Sequence, residues 1–307
     1  MMFPEFRLPI VALAVAMTAT PALARAFDTA PSQGTFPSHG ATLAYTGYGH
    51  GPVVVVLAGG PGLNATYMAP LARTIAGDGY RAIILDQRGT GRSVAAGAER
   101  ADLTMRGTVA DIDALRVALR QKRLTFVTHS FGGGMALAYA AVHPTRVAKM
   151  ILIGSVGTDL AGVDIFGKIL MTHLSASERA QYAAAQRAND GAKALDIQLL
   201  AEFDDRAKAR ETIASEPHPF IYPAISDAIY TDFAHNYHVA SALGRVRAHV
   251  TLLTGSDDAA RAMEPTLRRA FPNATRAYVP HSGHWPWIEN PAFFDAKLRD
   301  ALSAKTV

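Results

Sequence analysis

The stretch Leu124-Thr125-Phe126-Val127-Thr128-His129-Ser130-Phe131-Gly132-Gly133-Gly134 decides how this chain is read. A short, β-branched and aromatic run ends in a serine. Glycines and the small-residue segment Met135 to Ala141 follow at once. That order is a strand turning sharply into a helix with a serine at the corner, the arrangement of a nucleophile elbow. A serine that attacks a carbonyl has to project from such a turn, and the glycine two positions after it lets strand and helix approach closely. The turn also sets the serine at a helix N-terminus, whose N–H groups and dipole favour a developing anion. Elbows of the G-x-S-x-G form start with glycine, and Thr128 occupies that place here.

Three flanking segments support the reading. Gly59-Gly60-Pro61-Gly62 follows the apolar run 53–58. A glycine turn after that strand is where a second donor to the oxyanion is found, so the backbone N–H groups of Gly60 and Phe131 are the expected oxyanion hole. Gly255-Ser256-Asp257-Asp258 follows the run 250–254, and His281-Ser282-Gly283-His284 follows 274–279. Serine, acid and histidine therefore occur in the chain order Ser130, Asp258, His284. The histidine is to take the serine proton, and the carboxylate is to hold the imidazole in the right tautomer. Asp258 is preferred because it stands three positions after Gly255, with Asp257 as the alternative. His284 is preferred over His281 because Gly283 and the run Trp285-Pro286-Trp287-Ile288-Glu289 frame a loop returning to the sheet edge.

Farther out, short β-branched runs alternate with helical segments, the pattern of a mostly parallel sheet covered on both faces. Strands are expected at 53–58, 81–86, 124–128, 149–153, 250–254 and 274–279, with an antiparallel lead-in at 34–48. Apolar Val109, Ile112, Leu115, Val117 and Leu119 predict a helix over 107–120. Between 156 and 247 the alternation stops, and some ninety residues are too many for a loop. An inserted helical cap is expected there, with the Ala-rich stretch 180–194 helical and Pro217, Pro219 and Pro223 marking breaks. Tyr222, Tyr230, Phe233 and Tyr237 either line a pocket or pack the cap.

The chain is thus divided into a leader, residues 1–26, a core of 27–155 and 248–307, and the cap 156–247. The leader reading rests on Arg7, the apolar run 8–17 and the small residues Ala22, Ala24 and Ala26, with cleavage after Ala24 or Ala26 and a periplasmic or secreted product. The apolar run is too short to span a bilayer, so no stable membrane insertion is expected after cleavage. With no cysteine in the chain, disulfides and a thiolate nucleophile are excluded. A net charge of +4 is spread along the sequence and does not mark a nucleic-acid surface. The pairs His281/His284 and His235/His238 lack a third ligand, and no phosphate or dinucleotide loop occurs, so neither metal nor cofactor is expected.

Taken together, Gly59-Gly60-Pro61-Gly62, Asp86-Gln87-Arg88-Gly89-Thr90-Gly91-Arg92-Ser93 and the elbow resemble the α/β-hydrolase superfamily, and within it the proline iminopeptidase and related aminopeptidase group. The resemblance covers about 40–155 and 248–300. It implies an eight-stranded, mostly parallel sheet and a serine hydrolase acting through an acyl-enzyme on a short peptide or other small molecule. Members of that group usually show Gly-Gly-Ser-Trp-Gly at the elbow. Thr128-His129-Ser130-Phe131-Gly132 is equally at home among esterases, so an ester or lactone hydrolase stays open beside the aminopeptidase, with a non-catalytic binding protein as a remote third reading. The group binds the substrate's amino group with cap carboxylates, for which Glu202, Asp204, Asp205, Glu211 and Glu216 are available. Asp86 is expected to close a strand, and Arg88 to tie loops beside the oxyanion turn.

Overall fold

A computed structural model describes residues 30–94, 102–215 and 221–305. The expected leader, Glu216, Pro217 and Pro219 lie outside the described residues. Eight strands form one sheet: β1 (Ser32–Ser38), β2 (Ala41–Tyr48), β3 (Val53–Leu57), β4 (Arg81–Leu85), β5 (Leu124–His129), β6 (Val147–Ile153), β7 (His249–Gly255) and β8 (Thr275–Val279). Their order is β1-β2-β4-β3-β5-β6-β7-β8. Only the β1/β2 and β2/β4 pairs are antiparallel, and every pairing from β4 to β8 is parallel. The lead-in is therefore a hairpin. It turns at His39 and Gly40, both at positive φ, the backbone twist that suits a two-residue connection.

The sheet is buried on both faces because its strands are apolar at odd and even positions alike. On one side Val55, Leu57, Phe126, Leu152 and Leu252 pack with α2 (Met105–Ala118) and α3 (Phe131–Val142). On the other, Val54, Val56, Val127, Ile151 and Leu253 pack with α1 (Ala69–Gly77) and the C-terminal helix, Pro291–Ser303. Close approach of α3 to the sheet depends on Gly132: a Cβ there would lie 2.4 Å from the Leu57 carbonyl oxygen and 2.7 Å from that of Ala58.

Between β6 and β7 run α4 (Val163–His173), α5 (Ala176–Arg187), α6 (Gly191–Glu202), α7 (Arg206–Ser215) and α8 (Pro223–Asn236). The helical stretch expected at 180–194 is interrupted. α5 stops at Arg187, Asn189 takes a positive φ of 55°, and Asp190 caps α6 by accepting from the Lys193 N–H. Alanine content predicted helix well but hid this break, which is made by an Asn-Asp pair suited to left-handed and capping geometry. Three further helices, α9 (Glu264–Ala270), α10 (Pro286–Glu289) and α11 (Pro291–Ser303), complete the chain. Among the described residues no helix is long and apolar enough to cross a membrane.

Candidate active site

Ser130 stands between β5 and α3 with φ 53° and ψ −120°. A positive φ at a non-glycine residue is strained, and here neighbouring backbone over-determines it. The Ser130 N–H donates to Ile153 O at 2.9 Å, and the Ser130 carbonyl accepts from Gly133 N–H at 2.9 Å and Val156 N–H at 3.3 Å. As the first residue of α3, Phe131 has an N–H with no acceptor inside the helix. The Gly59-Gly60 turn lies against this corner, since a Cβ on Gly59 would fall 2.9 Å from Ser130 Cβ. Sequence-expected Ser130, Gly60 and Phe131 thus meet at the C-terminal ends of β3 and β5.

His284 and Asp258 come from the loops after β8 and β7. The His284 Nδ1 lies 2.9 and 3.0 Å from the two Asp258 oxygens, and both side chains are buried. Asp258 Oδ1 also accepts from the Ala260 N–H at 2.7 Å. Asp257 points elsewhere and accepts from Ser256 Oγ at 2.6 Å. Burial alone would depress the basicity of His284, but the Asp258 carboxylate, helped by Glu202 and Glu289, outweighs it and raises the pKa above the ordinary histidine value. Gly154, just past β6, makes room for the pair. Its φ is +50°, and a Cβ there would lie 2.7 Å from Asp258 Oδ2 and 2.8 Å from His284 Nδ1.

The histidine loop is fastened to the helical insertion through Glu202, the last residue of α6. Its carbonyl accepts from the His284 N–H at 2.6 Å, and its carboxylate accepts from Trp285 Nε1 at 2.9 Å and Gln198 Nε2 at 2.8 Å. Glu289 braces the same loop by accepting from the N–H groups of Gly283 and Asp205. Of the carboxylates named from the sequence that lie among the described residues, Glu202 is the one that lines the cavity.

That cavity, of about 320 Å³, is lined by Gly59, Gly60, Ser130 and His284. The helical segment adds Tyr182 and Gln186 from α5, Leu199 and Glu202 from α6, and Tyr230 from α8 to the lining. Phe233 and Tyr237 belong instead to the core, where Tyr237 donates to Gly157 O. Among the described residues no group of three His, Asp or Glu side chains is arranged to hold a metal ion.

One expectation about the 86–93 segment is corrected. Arg88 donates to Asp111 and to Ser38 O, joining α2 to the end of β1 away from the oxyanion turn. Its neighbour Gln87 reaches the turn, with Nε2 donating to the carbonyls of Ala58, Gly59 and Gly60 at 3.3 to 3.4 Å. Both residues lie past the end of β4, in a turn closed by Thr90 N–H to Gln87 O, and the guanidinium is held by the buried Asp111 carboxylate. Asp86 stands directly after the last residue of β4, as expected, and its carboxylate accepts from the Arg92 N–H.

The alpha/beta hydrolase fold family matches residues 52–291. The chain belongs to this family. A serine nucleophile is typical of its hydrolases. A proline iminopeptidase of Xylella fastidiosa strain Temecula1 is 40% identical over 120 residues, which is 38% of this chain and 36% of that protein. The chain therefore matches only about a third of the length of that relative. A 2-hydroxy-6-oxononadienedioate/2-hydroxy-6-oxononatrienedioate hydrolase of Cupriavidus pinatubonensis is 27% identical over 275 residues, covering 83% of this chain and 88% of that one. Among solved structures, proline iminopeptidase of Mycobacterium smegmatis superposes with a TM-score of 0.65 at 19% identity, over 88% of this chain and 97% of that one.

Proposed function

We propose that the protein is a serine hydrolase of the aminopeptidase kind, releasing an N-terminal residue, proline among them, from short peptides. The observation that carries this reading is one cavity lined by both Ser130 and His284, the histidine paired with buried Asp258. Ser130 Oγ bonds to the acyl carbon while its proton passes to His284 Nε2. The N–H groups of Gly60 and Phe131 take the oxyanion, His284 protonates the departing amine as the C–N bond breaks, and water then releases the acyl group by the same steps in reverse.

Two observations support a peptide with a free N-terminus. Glu202 puts a buried carboxylate on the cavity wall, where an ammonium group would be matched. The cavity volume, about 320 Å³, is at the lower end for small-molecule sites and suits a short peptide rather than a protein chain. The elbow sequence 128–132 favours a second reading, hydrolysis of a carboxylic ester or lactone.

A fluorophosphonate probe, a panel of prolyl and other aminoacyl amides, and short acyl esters separate these readings. Labelling of the wild type and its loss in Ser130→Ala are expected, with aminoacyl amides cleaved in preference to esters. Esterase activity without amidase activity would remove the peptidase reading. A Ser130→Ala variant that keeps wild-type turnover would remove the mechanism.

A further inference from the structure

His129, the residue before the nucleophile, is 2% exposed and enclosed by four rings: Tyr67, Trp285, Trp287 and His284, with centroids at 5.7, 5.2, 4.8 and 4.6 Å. Both ring nitrogens are engaged. Nε2 lies 3.0 Å from the His284 carbonyl, and Nδ1 lies 2.9 Å from Tyr67 Oη. The same Tyr67 oxygen is 2.5 Å from the Gly59 amide nitrogen.

Donor and acceptor chemistry gives these three contacts one direction. A carbonyl can only accept, so Nε2 carries a proton and donates to His284 O. Burial keeps this imidazole neutral, holding its pKa well below the ordinary value, so Nδ1 is a lone pair. Tyr67 O–H then donates to Nδ1, and the Tyr67 oxygen accepts the Gly59 N–H. We propose that Tyr67 and His129 are positioning residues for hydrolysis, a one-way hydrogen-bond chain that ties the oxyanion turn at Gly59 to the backbone of His284.

One end of the chain fixes the Ala58–Gly59 peptide plane, the one before the plane that carries the Gly60 N–H, while Gln87 Nε2 donates to the Ala58 and Gly59 carbonyls. At its other end it holds the backbone of His284, whose ring is separately held by Asp258. The oxyanion donor, the nucleophile corner and the base are thereby set in one frame, in a water-poor setting where each hydrogen bond is strengthened. The chain's part in turnover rests on the hydrolase reading; its direction does not.

Tyr67→Phe keeps the ring and removes the hydroxyl, leaving Gly59 N–H and His129 Nδ1 without this partner. In a folded variant kcat is expected to fall about 10-fold to 100-fold while KM stays within about 3-fold, because a small misplacement at the reacting centre acts on the transition state. His129→Gln, which keeps one donor and one acceptor, should retain more activity than His129→Leu. The Tyr67→Phe/His129→Leu double variant should lose little more than the worse single one, since either change breaks the same chain. In ¹⁵N-histidine NMR of the wild type, His129 should show a bare Nδ1 and a protonated Nε2. Wild-type kcat in Tyr67→Phe, fully additive losses, or a protonated Nδ1 would each overturn the proposal. The NMR result needs no substrate, so it stands or falls apart from fluorophosphonate labelling, which tests the hydrolase reading.

Discussion

The two histidines nearest Ser130 are equally buried but lie in opposite electrostatic settings. His129 has ring neighbours and no carboxylate, and burial keeps it neutral. His284 faces Asp258 at hydrogen-bond distance, with Glu202 and Glu289 also in its field, and its pKa is raised. A general base works only when deprotonated, so raising its pKa moves the acidic limb of the activity profile upward. The kcat/KM profile of the wild type should therefore rise through a midpoint above the ordinary histidine value of about 6.5. Asp258→Asn removes the dominant attraction and leaves the burial penalty, so any residual activity should show a midpoint below that value. Its kcat should fall on the order of 10,000-fold, because the tautomer is no longer enforced. A pH–rate series on both proteins checks this, and an unmoved limb would assign it to another group.

At the scale of elements, the parallel strands were legible because β3 to β7 are short apolar runs that end at or beside glycine, aspartate or histidine; boundaries fall within one residue except at the start of β6, where the difference is two. The corner at Ser130, the Gly59-Gly60 turn and the loops that carry Asp258 and His284 were legible as positions for a related reason: each sits directly after such a run. Contacts between distant segments were not legible. Glu202 was one of five carboxylates with no local mark to distinguish it, and Tyr67 gave no sign of its link to His129. Gly154 did leave a trace, as a glycine closing a central strand, but its reason is a pair of side chains more than a hundred residues away. Gly154→Ala tests that reason. A Cβ under 3 Å from both Asp258 and His284 must displace one of them, and the positive φ adds about 1 kcal/mol or more of backbone strain. Thermal denaturation should show a loss of that size, and steady-state kinetics a drop in kcat approaching 100-fold. An alanine variant with wild-type kcat would show that the pair tolerates displacement.

Across the whole molecule, charge is distributed against its own sum. The chain carries +4 overall, yet Glu202, Asp258 and Glu289 gather around the histidine loop beside the cavity. Low-dielectric walls concentrate such a local field, and under the proposed peptidase reading it is this field that would select a substrate's ammonium group. Glu202 also joins the helical insertion to the histidine loop, through its carbonyl to His284 N–H and its carboxylate to Trp285. Glu202→Gln separates these roles, because an amide oxygen can still accept from Trp285 while the charge is gone. For aminoacyl amides with a free amino group, kcat/KM should fall about 10-fold to 100-fold, the scale of one charge-assisted hydrogen bond. For N-acetylated or simple ester substrates it should change by less than about 3-fold, with the acidic limb of the pH profile moving down as one of the charges raising His284 is lost. Equal losses on charged and neutral substrates would instead make Glu202 a brace for the histidine loop, and would leave the ester reading as the better account of the cavity.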